Sequence, residues 1–150
     1  MKGEAMDVIN LFAKLNLEKI DFDGSITATT PDQFIAQFKK VCSCQASKHN
    51  QSIVYVWHTE KAISRLRGKS TIVYIGKTDA TFYTRHYRYA ETEASGNNWK
   101  RYSYIINQYG AIGFCCARIP SPNTPLEIEN RLLQKYFEEH LELPPINKSL

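Results

Sequence analysis

The stretch "SIVYVWHTEKAISRLRGKSTIVYIGKT", residues 52–78, decides the reading of this chain. It holds two runs rich in β-branched and aromatic residues, Ile53-Val54-Tyr55-Val56-Trp57 and Thr71-Ile72-Val73-Tyr74-Ile75, and each reads as a strand. Between them His58 to Ser70 carries Lys61, Arg65, Arg67 and Lys69 against the single acid Glu60, a segment that looks too long for a tight hairpin turn. The second strand leaves on Gly76 and Lys77. A run of tyrosines and cations follows, with Arg85, His86, Arg88 and Tyr89. A core strand has no need of a lysine at its exit, and a solvated helix has no need of so many aromatics.

Working outward, Pro31 after Thr30 marks the start of a helix whose apolar face is Phe34, Ile35, Phe38 and Val41. Val8, Leu11, Phe12 and Leu15 recur at helical spacing before it, and 46–51 is polar and loop-like. After the strand pair, 80–92 and 98–108 carry helical signals, and 112–119 reads as a third strand. Thr124-Pro125-Leu126-Glu127 opens a last helix with capping-box spacing. The order predicts an α+β domain: a small, mainly antiparallel three-stranded sheet flanked by helices over residues 51–150, with an N-terminal helical extension over 1–50.

The formal net charge is +4. Residues 1–50 balance at six cations and six acids, and 111–150 sum to −1. The middle segment, 51–110, holds nine cations against four acids. Local excess of this kind suits a polyanion. No apolar run approaches the ~18 residues of a membrane span. Lys2, Glu4 and Asp7 argue against a signal peptide, and Cys42, Cys44, Cys115 and Cys116 do not read as a secreted disulfide framework. An intracellular, cytoplasmic protein with reduced thiols is expected.

Two helical features point to chemistry. Arg85, Arg88 and Tyr89 share a face if 81–92 is helical, and a guanidinium fork beside a phenol suits a phosphate. On the last helix Leu126, Leu133, Tyr136 and Phe137 form an apolar stripe with Glu129 inside it. A carboxylate there needs a cation, a metal or a raised pKa, or else sits at the rim and reaches water.

Taken in order, Tyr55, then Tyr74-Ile75-Gly76, Arg85, Glu129 and Pro144-Pro145-Ile146-Asn147 resemble the GIY-YIG nuclease superfamily. The similarity covers roughly residues 52–147. Ile53 stands where the family's first motif has glycine, and Arg85 lies one residue later than the family's common spacing. The resemblance implies hydrolysis of phosphodiester bonds in double-stranded DNA with one Mg2+ or Mn2+, and Glu129 as the sole protein ligand of that metal. It implies Tyr55 as general base, with Tyr74 the other candidate, and cations such as Lys77 and Arg85 to lower the phenol's pKa. Lys77 would orient the water or the tyrosinate, Arg85 would hold charge building on the phosphate, and Tyr89 and Asn147 complete the catalytic set. Lys61, Arg65, Arg67, Lys69, Arg88, Lys100 and Arg101 are the expected DNA contacts, and specificity could also come from a homodimer. Two other readings stand beside this one: a nucleic-acid-binding module without cleavage, and a zinc domain using Cys42, Cys44, His49, Cys115 and Cys116. The spacing of those cysteines does not match common zinc sites.

Overall fold

The computed structural model describes residues 5–148. The helices are α1 (Val8–Ala13), α2 (Pro31–Cys42), α3 (Gln45–His49), α4 (Phe82–His86), α5 (Ala90–Glu93), α6 (Gly96–Tyr109) and α7 (Pro125–His140). The strands are β1 (Ile20–Asp21), β2 (Gln51–Ser64), β3 (Lys69–Thr81) and β4 (Ile112–Arg118). Local chemistry explains the helix starts. Thr30, Thr81 and Thr124 accept from the backbone N–H three residues on, and Pro31 and Pro125 occupy first-turn positions where no intrahelical donor is lost.

The sheet has four strands in the order β1-β4-β2-β3, with every neighbouring pair antiparallel. The expected three-stranded sheet therefore gains an edge: Ile20–Asp21 pairs with Cys116 and Cys115. A two-residue strand carries no periodicity that a sequence could announce. The charged segment 58–70 is likewise not a separate insertion. β2 and β3 run on through it, and only Arg65 to Gly68 turn the chain. Gly68 adopts φ +71, and the Arg65 amide donates to the Gly68 carbonyl at 2.9 Å.

Alternation along the central strand β2 divides the interior into two layers. Ile53, Tyr55 and Trp57 join Phe34, Phe38, Phe82, Tyr102 and Phe114 on the side of α2, α4 and α6. Val54 and Val56 join Leu11, Phe12, Ile128, Leu132 and Tyr136 on the side of α1 and α7. Residues from before position 50 are thus built into both layers, which draw on both sides of the boundary expected between an extension and a core at 50/51. Residues 1–4 and 149–150 of those two expected units lie outside the described residues.

Two helix readings also change. The segment 82–93 is broken by a 3-10 turn at Tyr87–Tyr89 between α4 and α5. On α7 the buried face is Pro125, Ile128, Leu132, Leu133, Tyr136 and His140, whereas Leu126 and Phe137 are exposed. The stripe is rotated about the helix axis from the expected one, which leaves Glu129 on its edge. No helix is long and apolar enough to cross a membrane among the described residues.

Candidate active site

The site forms where the outer edge of β3 meets the first turns of α7 and the α4–α6 segment. Strand pairing sets its floor. Tyr55 on β2 is the register partner of Gly76 on β3, and Trp57 that of Tyr74, so Tyr55 and Tyr74 are diagonal neighbours on one face with ring centroids 6.2 Å apart. Glycine at 76 is required by this geometry. A Cβ there would lie 2.5 Å from Tyr55 Cζ and 2.6 Å from its hydroxyl. One pair further, His58 faces Ile72, so the register slips next to Tyr74, at a position where strand irregularities re-aim side chains.

The C-terminal segment fixes the same strand from outside. Asn147 Oδ1 accepts from the Ile75 amide and its Nδ2 donates to the Ile75 carbonyl, both at 2.9 Å. The Ile146 amide donates to the Val73 carbonyl at 3.0 Å. Both ends of the Asn147 amide thus bond to backbone, which positions the strand that carries Tyr74.

Two confluent clefts open over this floor. One, of about 490 Å³, is lined by Tyr55, Tyr74, Lys77, Arg85 and Glu129 together with residues 78–80. The other, of about 790 Å³, shares Tyr74, Arg85 and Glu129 and adds Tyr89, Glu93, Arg101, Asn147 and others. Glu129 reaches both because Ile128 and Leu132 anchor α7 against the sheet and turn the next position outward along the strand edge. The broken helix does a similar service for the cations. The guanidinium carbons of Arg85 and Arg88 lie 5.9 and 4.9 Å from the centre of the Tyr89 ring.

Electrostatics depart from the sequence expectation at the tyrosines. Burial is the largest influence on both and pushes both phenols above their ordinary value of 10.0, with Arg85 pulling back only part of the way. Tyr55 is only 2% exposed. Tyr74 is partly open to both clefts. Lys77 and Arg85 therefore do not lower either phenol below its solution value in the chain alone, because desolvation outweighs their charge. Glu129 is half-buried, and burial raises its carboxyl above the usual 4.5 against the opposing pull of Lys77.

Several lining residues carried no motif. His86 sits in the aromatic layer, 4.9 Å from Tyr55 and 4.2 Å from Phe82 between ring centroids, and burial lowers its pKa to about 3, so it is neutral. Glu93 accepts from the Tyr102 hydroxyl at 3.3 Å, and burial raises its carboxyl. Trp57 alternates with Tyr55 along β2, and that period of two is the one sequence signal that could have placed it on the cleft.

The expected DNA contacts divide. Arg101 lines the larger cleft, and Arg88 packs on Tyr89 beside it. Lys61 and Lys69 are exposed on the far half of the β2–β3 hairpin and line neither cleft. Arg65 and Arg67 are engaged at the end of α7. Arg65 donates to the Leu143 carbonyl at 2.8 Å and pairs with Glu142 at 3.3 Å. Arg67 donates to the Glu138 and Glu139 carbonyls. These are the orphan acceptors at the end of α7, where a cation is favoured. A charge count cannot tell a solvated arginine from one that caps a helix distant in sequence.

Cys42, Cys44, Cys115 and Cys116 are free thiols, and among the described residues no three His, Cys, Asp or Glu side chains converge as a metal-holding group. A metal at this site would have Glu129 as its protein ligand, with water and substrate oxygens around the rest, and that donor set suits Mg2+. The chain matches no protein-family model, no curated protein and no solved structure.

Proposed function

We propose that this chain is a metal-dependent endonuclease that hydrolyses phosphodiester bonds in DNA, by a mechanism of the GIY-YIG type. One observation carries the reading. Tyr55, Tyr74, Lys77, Arg85 and Glu129, drawn from β2, β3, α4 and α7, line a single cleft. A structural salt bridge or an ordinary core gives no reason for two phenols, two cations and a half-buried carboxylate to meet there.

A divalent ion on Glu129 would polarise the scissile phosphate and stabilise the leaving oxygen. The protein's own groups do the rest. Arg85, exposed at the mouth of both clefts, holds the phosphate and the charge that builds on it. Lys77 faces Glu129 and orients the attacking water. The proton from that water goes to the tyrosine pair. Exposure favours Tyr74 as the group that meets water, and the hydroxyl of Tyr55 below it supports the Tyr74 phenolate, an order opposite to the one the sequence suggested. Tyr89 closes the cleft wall and holds Arg85 in place by its ring.

Incubation with supercoiled plasmid in Mg2+, beside the same reaction in EDTA and with Glu129→Gln, tests the reading. Nicking or linearisation is expected in the first case alone. Binding of DNA without any cleavage over a range of divalent ions would leave the non-cleaving module as the function.

A further inference from the structure

A second groove, of about 350 Å³, lies beside the larger cleft and shares Arg101 and Ile146 with it. Its floor is apolar, with Ile63 and Ile146, and its walls carry Tyr104 and Tyr109. Lys100 and Arg101 stand at its rim, and no acid lines it. Tyr104 is 61% exposed on α6, far more than a packed tyrosine. Resting on the nuclease reading, we propose that this groove takes an unpaired nucleotide of the strand that enters the cleft, its base stacked on Tyr104. The preferred substrate class is then DNA with a single-stranded arm or gap beside the cut, over uninterrupted duplex.

The chemistry fits that occupant. A nucleobase offers a flat apolar face to an aromatic ring, and such stacking tolerates any sequence. The flanking phosphates meet Lys100 and Arg101, and the guanidinium suits a phosphate fork. The groove lies within the range of small-ligand pockets, ~300–1,000 Å³. A paired base is held inside its duplex and presents no free face to a side groove. Arg101 belongs to both cavities, so one strand can run continuously from the cut to the stacked base.

Fluorescence anisotropy of the whole chain in EDTA tests this without requiring cleavage. The probes are a labelled duplex, the same duplex with an oligothymidine arm on either strand end, and the same arm made of abasic residues. An arm of one polarity should tighten binding at least about fivefold. The abasic arm should lose that gain, and so should Tyr104→Ala, an exposed helix position where the fold is not at stake. An abasic arm that binds as well as the thymidine arm, or a gain that survives Tyr104→Ala, overturns the proposal. Duplex that is bound and cut with no regard to the arm overturns it alone and leaves the nuclease reading standing. That flat result is also what a groove serving a peptide or a second copy would give. Failure to bind or cut any DNA removes both.

Discussion

Arg67 and His140 hold each other at both ends of one contact: the Arg67 amide donates to the His140 carbonyl at 3.2 Å, and His140 Nδ1 lies 2.8 Å from the Arg67 carbonyl. Since a carbonyl only accepts, Nδ1 carries the proton. The tip of the β2–β3 hairpin is thereby tied to the end of α7, the helix that presents Glu129. Arg67→Gln should lower stability by about 1–2 kcal/mol through lost bonds to helix carbonyls. It should leave the salt dependence of DNA binding where it was. Denaturant midpoints and binding measured across a salt series check both. A shallower salt slope with unchanged stability would return Arg67 to the DNA interface.

Gly76→Ala places a Cβ against the Tyr55 ring. That ring is walled in by Phe82 and His86, so it has little room to yield. The expected cost is about 1–3 kcal/mol of overpacking, with cleavage falling further than stability explains because Tyr55 and Tyr74 lose their register. Thermal melts and nicking rates at a temperature where the variant is fully folded separate the two effects.

The tyrosines are distinguished by rate and pH. Tyr74→Phe should cut about 10²–10⁴-fold more slowly, the usual loss for a general base. Tyr55→Phe should lose less. Both phenols are held above 10.0, so only a small fraction is ionised near neutrality. The wild-type rate should climb about tenfold per pH unit between roughly pH 6 and 9. Tyr74→Phe should flatten that climb. A steep profile that survives Tyr74→Phe and vanishes in Tyr55→Phe reverses the assignment.

Glu129→Gln should abolish cleavage, a loss of at least about 10²-fold, and added Mg2+ should not restore it. Stability in EDTA gives a second test. The folded Glu129 carboxyl lies above 4.5, so folding favours its protonated form. That contribution is full below pH 4.5 and is lost as the pH rises through the folded value. Wild type should therefore lose ground to Glu129→Gln over that rise and stay behind at neutral pH. A variant that melts lower than wild type at pH 7 would identify Glu129 as a structural ion-pair partner.

Asn147→Ala removes two bonds to Ile75 and should cost about 1–3 kcal/mol. As a positioning residue it should weaken kcat through Tyr74 without changing DNA affinity. Comparing Kd with single-turnover rate decides this.

The fold was legible where one local rule sufficed. The caps at Thr30 and Thr124 set helix starts, and the β-branched runs around Tyr55 and Tyr74 set the strands. It was illegible where partners distant in sequence decide. Ile20–Asp21 is a strand only because β4 lies beside it, and the hairpin's charged half is a strand because α7 receives its tip. On α7, Leu126 and Phe137 are as apolar as Ile128 and Leu132, so helical spacing alone allowed a stripe rotated from the true one. Lys77, Arg85 and Glu129 stood out because cations and a carboxylate lay at a strand exit and on helix faces without a packing reason, whereas Tyr55 and Tyr74 were singled out by the resemblance to the GIY-YIG motifs. Glu93 and Tyr102 escaped because nothing in their spacing sets them apart from ordinary helix residues.

The bonds from Asn147 and Ile146 to β3 have a consequence for how copies of this chain can meet. Met6 covers the same strand at Lys69 and Thr71, so the outer backbone of β3 is occupied at both points. At the opposite side β1 is two residues long, and Ile26 bridges Ile112 beyond it. Exposed strand edges are the usual template for joining sheets between molecules, and for the aggregation that follows. Over Lys69 to Ile75 and along β1, sheet-to-sheet joining of two copies is thereby disfavoured.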